Sequence, residues 1–320
     1  MRTLCLNSKN IVEGTGNSQL TFQFPAGAIN LIEGDQLALS SVSMYNSVFN
    51  ITAALGNNTF KYTWVDATVK TVTIVDGFYD VDALNDYLHQ IMLNNGHYLI
   101  ENSTGNFVWF LTIQINVTIY AIQIQAYPME STTYVIGTTG GTYKLPTFTG
   151  SMTAWVVPTG SITPYIEIQA NALRTTLGFT AGFYPGKTVS SVVTLLENTI
   201  TATGANAPPA QLQITNYGAI QTLTSQSTPQ ITSLTSYLMT CSLINNNYTI
   251  PNTLIAAFPP SSAFAEQFIF APNQMSFIDC QPGSYASFSV QFFDQNLRQI
   301  VMQDNQIVVL LIVRSKHDRA

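Results

Sequence analysis

A period of two in the hydrophobic pattern is the feature that most restricts how this chain can fold. From Leu111 to Ile119 every second residue is aliphatic, and the residues between them are Thr, Gln or Asn. Such alternation is typical of a β-strand with one buried face. After Tyr120 the alternation continues in the opposite phase, which requires a turn or a bulge. We therefore predict a hairpin or a bulge between Asn116 and Ala121.

Strand patterns of the same kind occupy both ends of the chain. Near the N-terminus, Leu20 to Phe24 alternates and a longer strand-like segment runs from Leu37 to Ile51. Near the C-terminus, Ser287 to Phe293 alternates between polar and apolar residues. Every residue from Ile307 to Val313 is apolar, which predicts a central strand that is covered on both faces.

A helical pattern occurs in the middle of the chain. Asp80 is a suitable N-cap, because its carboxylate can accept hydrogen bonds from the free N–H groups of a first helical turn. Gly96 is a natural C-terminal stop. The apolar residues that repeat between them at helical spacing are Val81, Leu84, Leu88, Ile91 and Met92.

The order of these patterns predicts the domain organisation. Many short strands and few helices indicate an all-β fold, and we predict a single jelly-roll β-sandwich built from both chain ends. The helix-bearing segment between them is predicted to be a small insertion domain. The predicted boundaries are residues 1–75 for the first part of the jelly roll, 76–200 for the insertion domain and 201–320 for the second part.

Charged side chains are scarce. They make up 9% of the 320 residues, and none occurs from Asn198 to Ala265. Cores of interfaces between protein chains are depleted in charge and rich in aromatic residues, so the pattern favours a protein that buries much of its surface in an assembly. A surface loop system and a disordered segment are the alternatives for the uncharged stretch. Aliphatic pairs such as Leu243-Ile244 favour packing.

The net charge of −6 disfavours general binding to nucleic acid, because phosphate contacts need Lys and Arg. The exception is a basic cluster at the C-terminal end, which contains Arg314, Lys316, His317 and Arg319. This cluster is a candidate contact to packaged genome or to an acidic partner. A solvated tail after the last strand is the alternative.

Residue patterns for catalysis or metal binding are missing from the sequence. The three histidines, His89, His97 and His317, are too few for a His-rich metal site, and no G-x-S-x-G nucleophile elbow occurs. Residues 181–188 match a relaxed phosphate-binding pattern, but Pro185 removes a backbone N–H that a phosphate cradle needs. We predict no catalytic, cofactor-binding or metal-binding residues, no cofactor, and a protein that is not an enzyme.

Two further features bear on the cellular compartment. Cys5, Cys241 and Cys280 are scattered and odd in number, which indicates free thiols in a reducing compartment rather than a disulfide framework. The polar and charged residues among the first twenty predict that there is no signal peptide. The apolar run from Ile307 to Val313 is too short to span a bilayer, so no membrane span is expected.

A further set of segments is distributed along most of the chain: Gly34–Ile51, Asn57–Phe60, Asp76–Tyr79 with Leu84-Asn85 and Leu88, Leu177–Phe179 with Tyr184-Pro185, Phe288 to Asp294, and Ile307–Val313. In their order and spacing, these segments resemble the penton, or minor capsid, proteins of virophages and polinton-like viruses. No single motif in them is chemically diagnostic.

The resemblance implies a structural capsid protein with a single jelly roll. It implies homopentameric penton capsomers at the five-fold vertices of an icosahedral virion, contacts to neighbouring major capsid protein capsomers, and assembly inside the infected cell. A receptor- or carbohydrate-binding β-sandwich module of a spike or fibre is the main alternative, with Trp64, Trp109 and Trp155 as candidate sugar-stacking residues. A major capsid component is a further alternative.

Overall fold

The chain forms two compact units in a computed structural model that describes residues 1–137, 140–150, 152–186, 219–232 and 234–315. The first unit is discontinuous and consists of Met1–Phe49 and Leu234–Ala320. The second unit is the segment between them, Asn50–Ser233. Each unit has its own hydrophobic core.

Among the described residues, the elements follow one another as three groups of strands separated by two α-helices. The first group is β1 Arg2–Leu6, β2 Gln19–Gln23, β3 Ile29–Leu31, β4 Gln36–Tyr45, β5 Thr59–Thr63 and β6 Val69–Thr73, with a short 3-10 helix at Ser8–Asn10. Helix α1, Val81–Asn95, precedes β7 Leu99–Glu101, β8 Phe107–Val108, β9 Leu111–Asn116, β10 Ala121–Ala126, β11 Tyr143–Lys144 and β12 Tyr165–Ile168. Helix α2, Leu173–Leu177, precedes β13 Gly182–Tyr184, β14 Gln221–Thr224, β15 Tyr237–Cys241, β16 Leu254–Phe258, β17 Gln267–Phe270, β18 Ile278–Asp279, β19 Gly283–Tyr285, β20 Ser287–Phe293 and β21 Val308–Arg314.

The main body of the first unit is a sandwich of two antiparallel sheets that share one core, and β3 pairs separately with β19. One sheet has the order β1-β21-β4-β17, with β18 also paired to β4, and the other has the order β16-β15-β20-β2. Leu39 and Leu311 from the first sheet lie in the same core as Met239 and Val290 from the second. The sandwich is therefore built from both ends of the chain, as the sequence predicted.

The strand order agrees with the predicted jelly roll. If the eight strands of the two four-stranded paths are counted along the chain from one to eight, the sheets read 1-8-3-6 and 5-4-7-2. The chain thus crosses between the sheets after the first, second, third, fifth, sixth and seventh strands. Two interleaved Greek keys produce this order in an eight-stranded jelly roll.

Strand β21 is central in its sheet, but only one of its faces is fully buried. It is hydrogen-bonded between β1 and β4. Val309 and Leu311 point into the core, whereas Leu310 and Ile312 are half-buried and Val308 is exposed. The prediction of a strand covered on both faces is wrong within this chain, because a two-layer sandwich gives each sheet one core-facing side and alternate residues must point away from it.

The second unit contains both α-helices and the strands β5 to β14. Its sheets have the orders β13-β12-β5-β6, β14-β10-β9 and β11-β7-β8. Helix α1 buries Val81, Leu84, Leu88 and Met92 in the core of this unit. The predicted ends of α1 are confirmed. The Asp80 carboxylate accepts a hydrogen bond from the N–H of Ala83 at 2.7 Å, and Gly96 ends the helix with a φ of 71°.

The second unit is larger than the predicted insertion of residues 76–200. Strands β5 and β6 fall inside the segment 1–75, which the sequence assigned to the jelly roll. Strand β5 pairs instead with β12, with Tyr62 opposite Ile166, and β6 pairs with β5. The alternation of a strand records which of its faces is buried but not which core buries it. The boundary between the first and second units therefore lies at Phe49/Asn50 rather than at the predicted 75/76. The predicted boundary at 200/201 lies outside the described residues.

Candidate functional site

The loop between β15 and β16, residues 242–253, presents two apolar side chains to solvent. Tyr248 is 98% exposed and Ile250 is 88% exposed. The loop backbone is held by amide groups: the side-chain oxygen of Asn246 accepts a hydrogen bond from the N–H of Tyr248 at 3.0 Å, and Asn252 donates to the side chain of Asn245 at 2.9 Å. Asn side chains commonly stabilise turns in this way, and here they leave the Tyr and Ile side chains pointing outward.

This loop lies inside the stretch from Asn198 to Ala265, in which no residue is charged. An isolated exposed apolar residue is ordinary. Two almost fully exposed apolar side chains on an uncharged loop are instead typical of a contact site between protein chains. Tyrosine is among the residues that contribute most energy to interfaces between proteins. We refer to Tyr248 and Ile250 as the apolar loop pair.

The outer face of the β1-β21-β4-β17 sheet carries a second set of uncovered apolar side chains. Ile269 of β17 and Val308 of β21 lie on either side of Ser43 of β4, and both are exposed. Leu310 and Ile312 continue the same face of β21 and are half-buried. These four residues, Ile269, Val308, Leu310 and Ile312, form what we call the outer stripe.

Arg314 ends β21 and is held in place by its neighbours. Its guanidinium carbon lies 3.8 Å from the centroid of the Phe277 ring, and its Nη2 donates a hydrogen bond to Oε1 of Gln36 at 2.5 Å. The Gln36 amide in turn donates to Asp279 at 2.8 Å. Arg314 is therefore held by residues at the ends of neighbouring strands in the same sheet. Lys316, His317 and Arg319, the rest of the predicted basic cluster, lie outside the described residues.

The tryptophans that were candidate sugar-stacking residues are mostly in the core of the second unit. Trp64 and Trp155 are buried, and the ring centroid of Trp64 lies 5.1 Å from that of Trp155 in an edge-to-face arrangement. Trp109 is half-buried and stacks on His89 with a centroid distance of 4.3 Å. Two of the three tryptophans thus have no face open to a sugar.

The segment that matched a phosphate-binding pattern begins as a strand. Gly182–Tyr184 forms β13 and pairs with β12, with Tyr184 opposite Ile166. Its backbone N–H groups therefore belong to a sheet rather than to a phosphate cradle. Lys187 and Thr188, the last two residues of the pattern, lie outside the described residues.

The cysteines are free thiols, as predicted. Cys5 is exposed, and Cys241 and Cys280 are buried. Burial raises the pKa of each buried thiol to about 12, which keeps both protonated and unreactive at neutral pH. In the part of the chain that the structure describes, no group of three or more His, Cys, Asp or Glu side chains is arranged to hold a metal ion.

None of the helices among the described residues has the length and apolar character needed to cross a bilayer.

Sequence reasoning identified the uncharged stretch but not the apolar loop pair. Its only local signal is the Asn-rich run from Asn245 to Asn247 before Tyr248, which suggests a turn. Tyr237 lies in the same uncharged stretch and is also a tyrosine, but unlike Tyr248 it is fully buried. Residue type alone therefore does not distinguish an exposed anchor from a core residue.

Comparison with known proteins was made by sequence and by structure. No family model and no curated protein matches the sequence. By structure, the chain is similar to the crystal structure of the mavirus penton protein, with a TM-score of 0.42, 9% sequence identity and coverage of 98% of both chains. It is also similar to a chain of the Sputnik virophage cryo-EM structure, with a TM-score of 0.37, 10% identity and coverage of 99% of both chains. The first of these chains is described as a penton protein, and the second belongs to a virophage.

Proposed function

We propose that this chain is a structural capsid protein that forms homopentameric penton capsomers at the five-fold vertices of an icosahedral virion. Its role is assembly rather than catalysis, and its partners are other copies of the chain and neighbouring major capsid protein capsomers. The first unit acts as the jelly-roll domain, and residues 50–233 act as an insertion domain. A contact between Arg314 and packaged genome or an acidic partner remains a prediction.

The observation that carries the proposal is the apolar loop pair of the jelly-roll unit. Tyr248 and Ile250 are 98% and 88% exposed on a loop that hydrogen bonds hold in one conformation. An ordered loop loses little conformational entropy when it binds, so its apolar side chains contribute more of their burial energy to association. The outer stripe supplies further apolar surface on the same unit.

Five copies around one axis require a head-to-tail interface in which different surfaces of neighbouring copies meet. We expect each copy to bury roughly 800 Å² or more against each neighbour. The energy of that interface comes from apolar side chains and neutral amides, since the loop contains no charged residue. Because salt screens mainly charges, assembly should depend weakly on ionic strength.

The test is sedimentation velocity on the purified full chain at low and high salt. The wild-type protein is expected to sediment as five copies in both buffers. A Tyr248→Ser/Ile250→Ser double variant is expected to sediment as the monomer. Val156→Ser is the matched control, because Val156 is an exposed apolar residue of the second unit that should not affect pentamer formation.

A wild-type monomer at all accessible concentrations would contradict the pentamer. A trimer would favour the spike or fibre alternative, since such modules are commonly built from three chains. If the loop variant still forms pentamers, the apolar loop pair does not drive assembly. Copurification with particles at low copy number, with antibody label confined to the vertices, would test the position in the virion.

A further inference from the structure

The hairpin formed by β9 and β10 of the second unit ends in an uncovered apolar turn. Asn116 pairs with Ala121, and residues 117–120 connect the two strands, which confirms the predicted hairpin. Val117 is 77% exposed and Tyr120 is 61% exposed. Ile115 and Ile119 are also exposed. We call these four residues, Ile115, Val117, Ile119 and Tyr120, the hairpin tip.

The base of the hairpin is anchored in the core. Ile113, Ile122 and Ile124 are buried there, and β14 pairs with β10 on its other edge. The strands therefore hold the tip at a defined position. A rigid support of this kind is what a contact element needs, because little ordering remains to be done on binding.

The fold itself does not require apolar residues at the tip. The turn is stabilised by Asn116, whose side-chain oxygen accepts a hydrogen bond from the N–H of Thr118 at 3.1 Å. Tyr120 adopts a left-handed conformation with a φ of 49°, in which Gly or Asn is favoured and other residues cost roughly 1 kcal/mol. Solubility and backbone energy both favour a polar turn here, so another constraint accounts for the apolar side chains.

The size and charge of the tip identify the partner. From Asn102 to Met129 the chain contains no Asp, Glu, Lys or Arg, so the hairpin offers no charge to complement. Its four side chains expose on the order of 400 Å², well short of the roughly 800 Å² that each partner of a stable protein complex buries. A tip that projects from a hairpin also needs a concave acceptor on a protein, whereas a lipid surface deforms around it.

We propose that the hairpin tip is a membrane-contacting element that inserts into the interfacial zone of a neutral, zwitterionic lipid bilayer. Tyrosine is enriched at that depth because its ring is apolar and its hydroxyl reaches water. Aliphatic side chains enter the boundary of the acyl chains by about 5–10 Å, and the turn backbone stays in the hydrated headgroup layer. The net charge of −6 adds no attraction to anionic lipid, so anionic headgroups should not strengthen binding.

The experiment is flotation of the purified full chain with phosphatidylcholine vesicles, and in parallel with vesicles that contain phosphatidylserine. The tip variant is Val117→Ser/Ile119→Ser/Tyr120→Asn, in which Asn suits the left-handed position. The matched control is Val69→Ser/Val75→Ser/Val156→Ser, which removes three exposed valines elsewhere in the same unit. With each kind of vesicle the wild type and the control should float equally, and the tip variant should bind about tenfold or more weakly. Phosphatidylserine should not increase flotation of the wild type.

A second measurement does not depend on how the tip variant folds. In Tyr120→Trp, an added indole should be quenched by brominated phosphatidylcholine. Wild-type fluorescence should be quenched much less, because Trp64 and Trp155 are buried and Trp109 is half-buried against His89. Equal flotation of the wild type and a folded tip variant overturns the proposal, as does absence of quenching in Tyr120→Trp. A tip variant that changes sedimentation without lipid, while vesicle binding is unchanged, also overturns it and identifies the tip as a contact between copies. The pentamer is tested separately through the apolar loop pair.

Discussion

The Tyr62 hydroxyl oxygen lies 2.9 Å from Nδ1 of His97 in the core of the second unit. The His97 ring also stacks on Trp64, with a centroid distance of 4.9 Å and an interplanar angle of 2°. His97 is 1% exposed. Burial lowers the pKa of His97 to about 4. The charge of Asp66 raises this pKa and the charge of Lys70 lowers it, and both effects are smaller than that of burial. The imidazole is therefore neutral in the folded protein at neutral pH.

We predict that the second unit loses stability as the pH falls from about 6.5 towards 4. In this pH range His97 of the unfolded chain, with a pKa of about 6.5, binds a proton that His97 of the folded chain does not bind. Above about pH 6.5 both states are neutral at this residue, so no stability is lost there. The loss is at most about 3.5 kcal/mol, since one pKa unit corresponds to about 1.4 kcal/mol. Urea unfolding followed by tryptophan fluorescence reports on this unit, because Trp64, Trp109 and Trp155 all belong to it. A His97→Gln variant should flatten the pH dependence, and an unchanged slope would show that other groups cause it.

Gly178 and Gly56 provide a matched pair for backbone geometry in the same unit. Their φ angles are +76° and +65°, so both pay a similar conformational cost when replaced by Ala. A Cβ on Gly178 would lie 2.2 Å from the carbonyl oxygen of Ser227, whereas a Cβ on Gly56 meets nothing within 4 Å. We expect Gly56→Ala to cost about 1 kcal/mol and Gly178→Ala distinctly more. Similar losses in urea unfolding would mean that the Ser227 backbone moves aside freely.

Leu311 lies on the core face of β21, and Leu310 lies on its outer face. Leu311 is fully buried, whereas Leu310 is half-buried and belongs to the outer stripe. Leu311→Ala should cost about 2–5 kcal/mol through lost burial and a cavity. Leu310→Ala should cost less than half of that in the isolated chain. Circular dichroism of the full chain during denaturation measures both, and equal losses would mean that β21 is covered on both faces after all.

Asp80 should contribute to the stability of α1 through its cap. Its carboxylate accepts the N–H of Ala83, and removal by Asp80→Ala should cost about 1 kcal/mol. Asp82 lies in the first turn and also favours the positive end of the helix dipole, but it does not cap the helix. Asp82→Ala, the control, should therefore cost only a few tenths of a kcal/mol. The ranking is checked by thermal unfolding of the two variants, and the reverse order would assign the stabilisation to the dipole.

The sequence by itself determined the features that depend on near neighbours in the chain. The period of two located the strands at both ends, and the change of phase after Tyr120 located the β9–β10 hairpin. Asp80 and Gly96 set the ends of α1. These predictions succeeded because burial of alternate residues and satisfaction of helix-terminal groups are recorded within a few residues of one another.

Only the tertiary structure decided which core each strand joins and which apolar residues stay uncovered. The sequence assigned β5 and β6 to the jelly roll, yet β5 pairs with β12 and β6 pairs with β5, all within the second unit. Leu310 and Leu311 are both apolar, and the two-layer sandwich buries only one of them. Tyr237 and Tyr248 occupy the same uncharged stretch, one fully buried and the other 98% exposed. The strands that pair, and the core that covers a given apolar face, depend on residues distant in sequence, and the period of the pattern does not identify those partners.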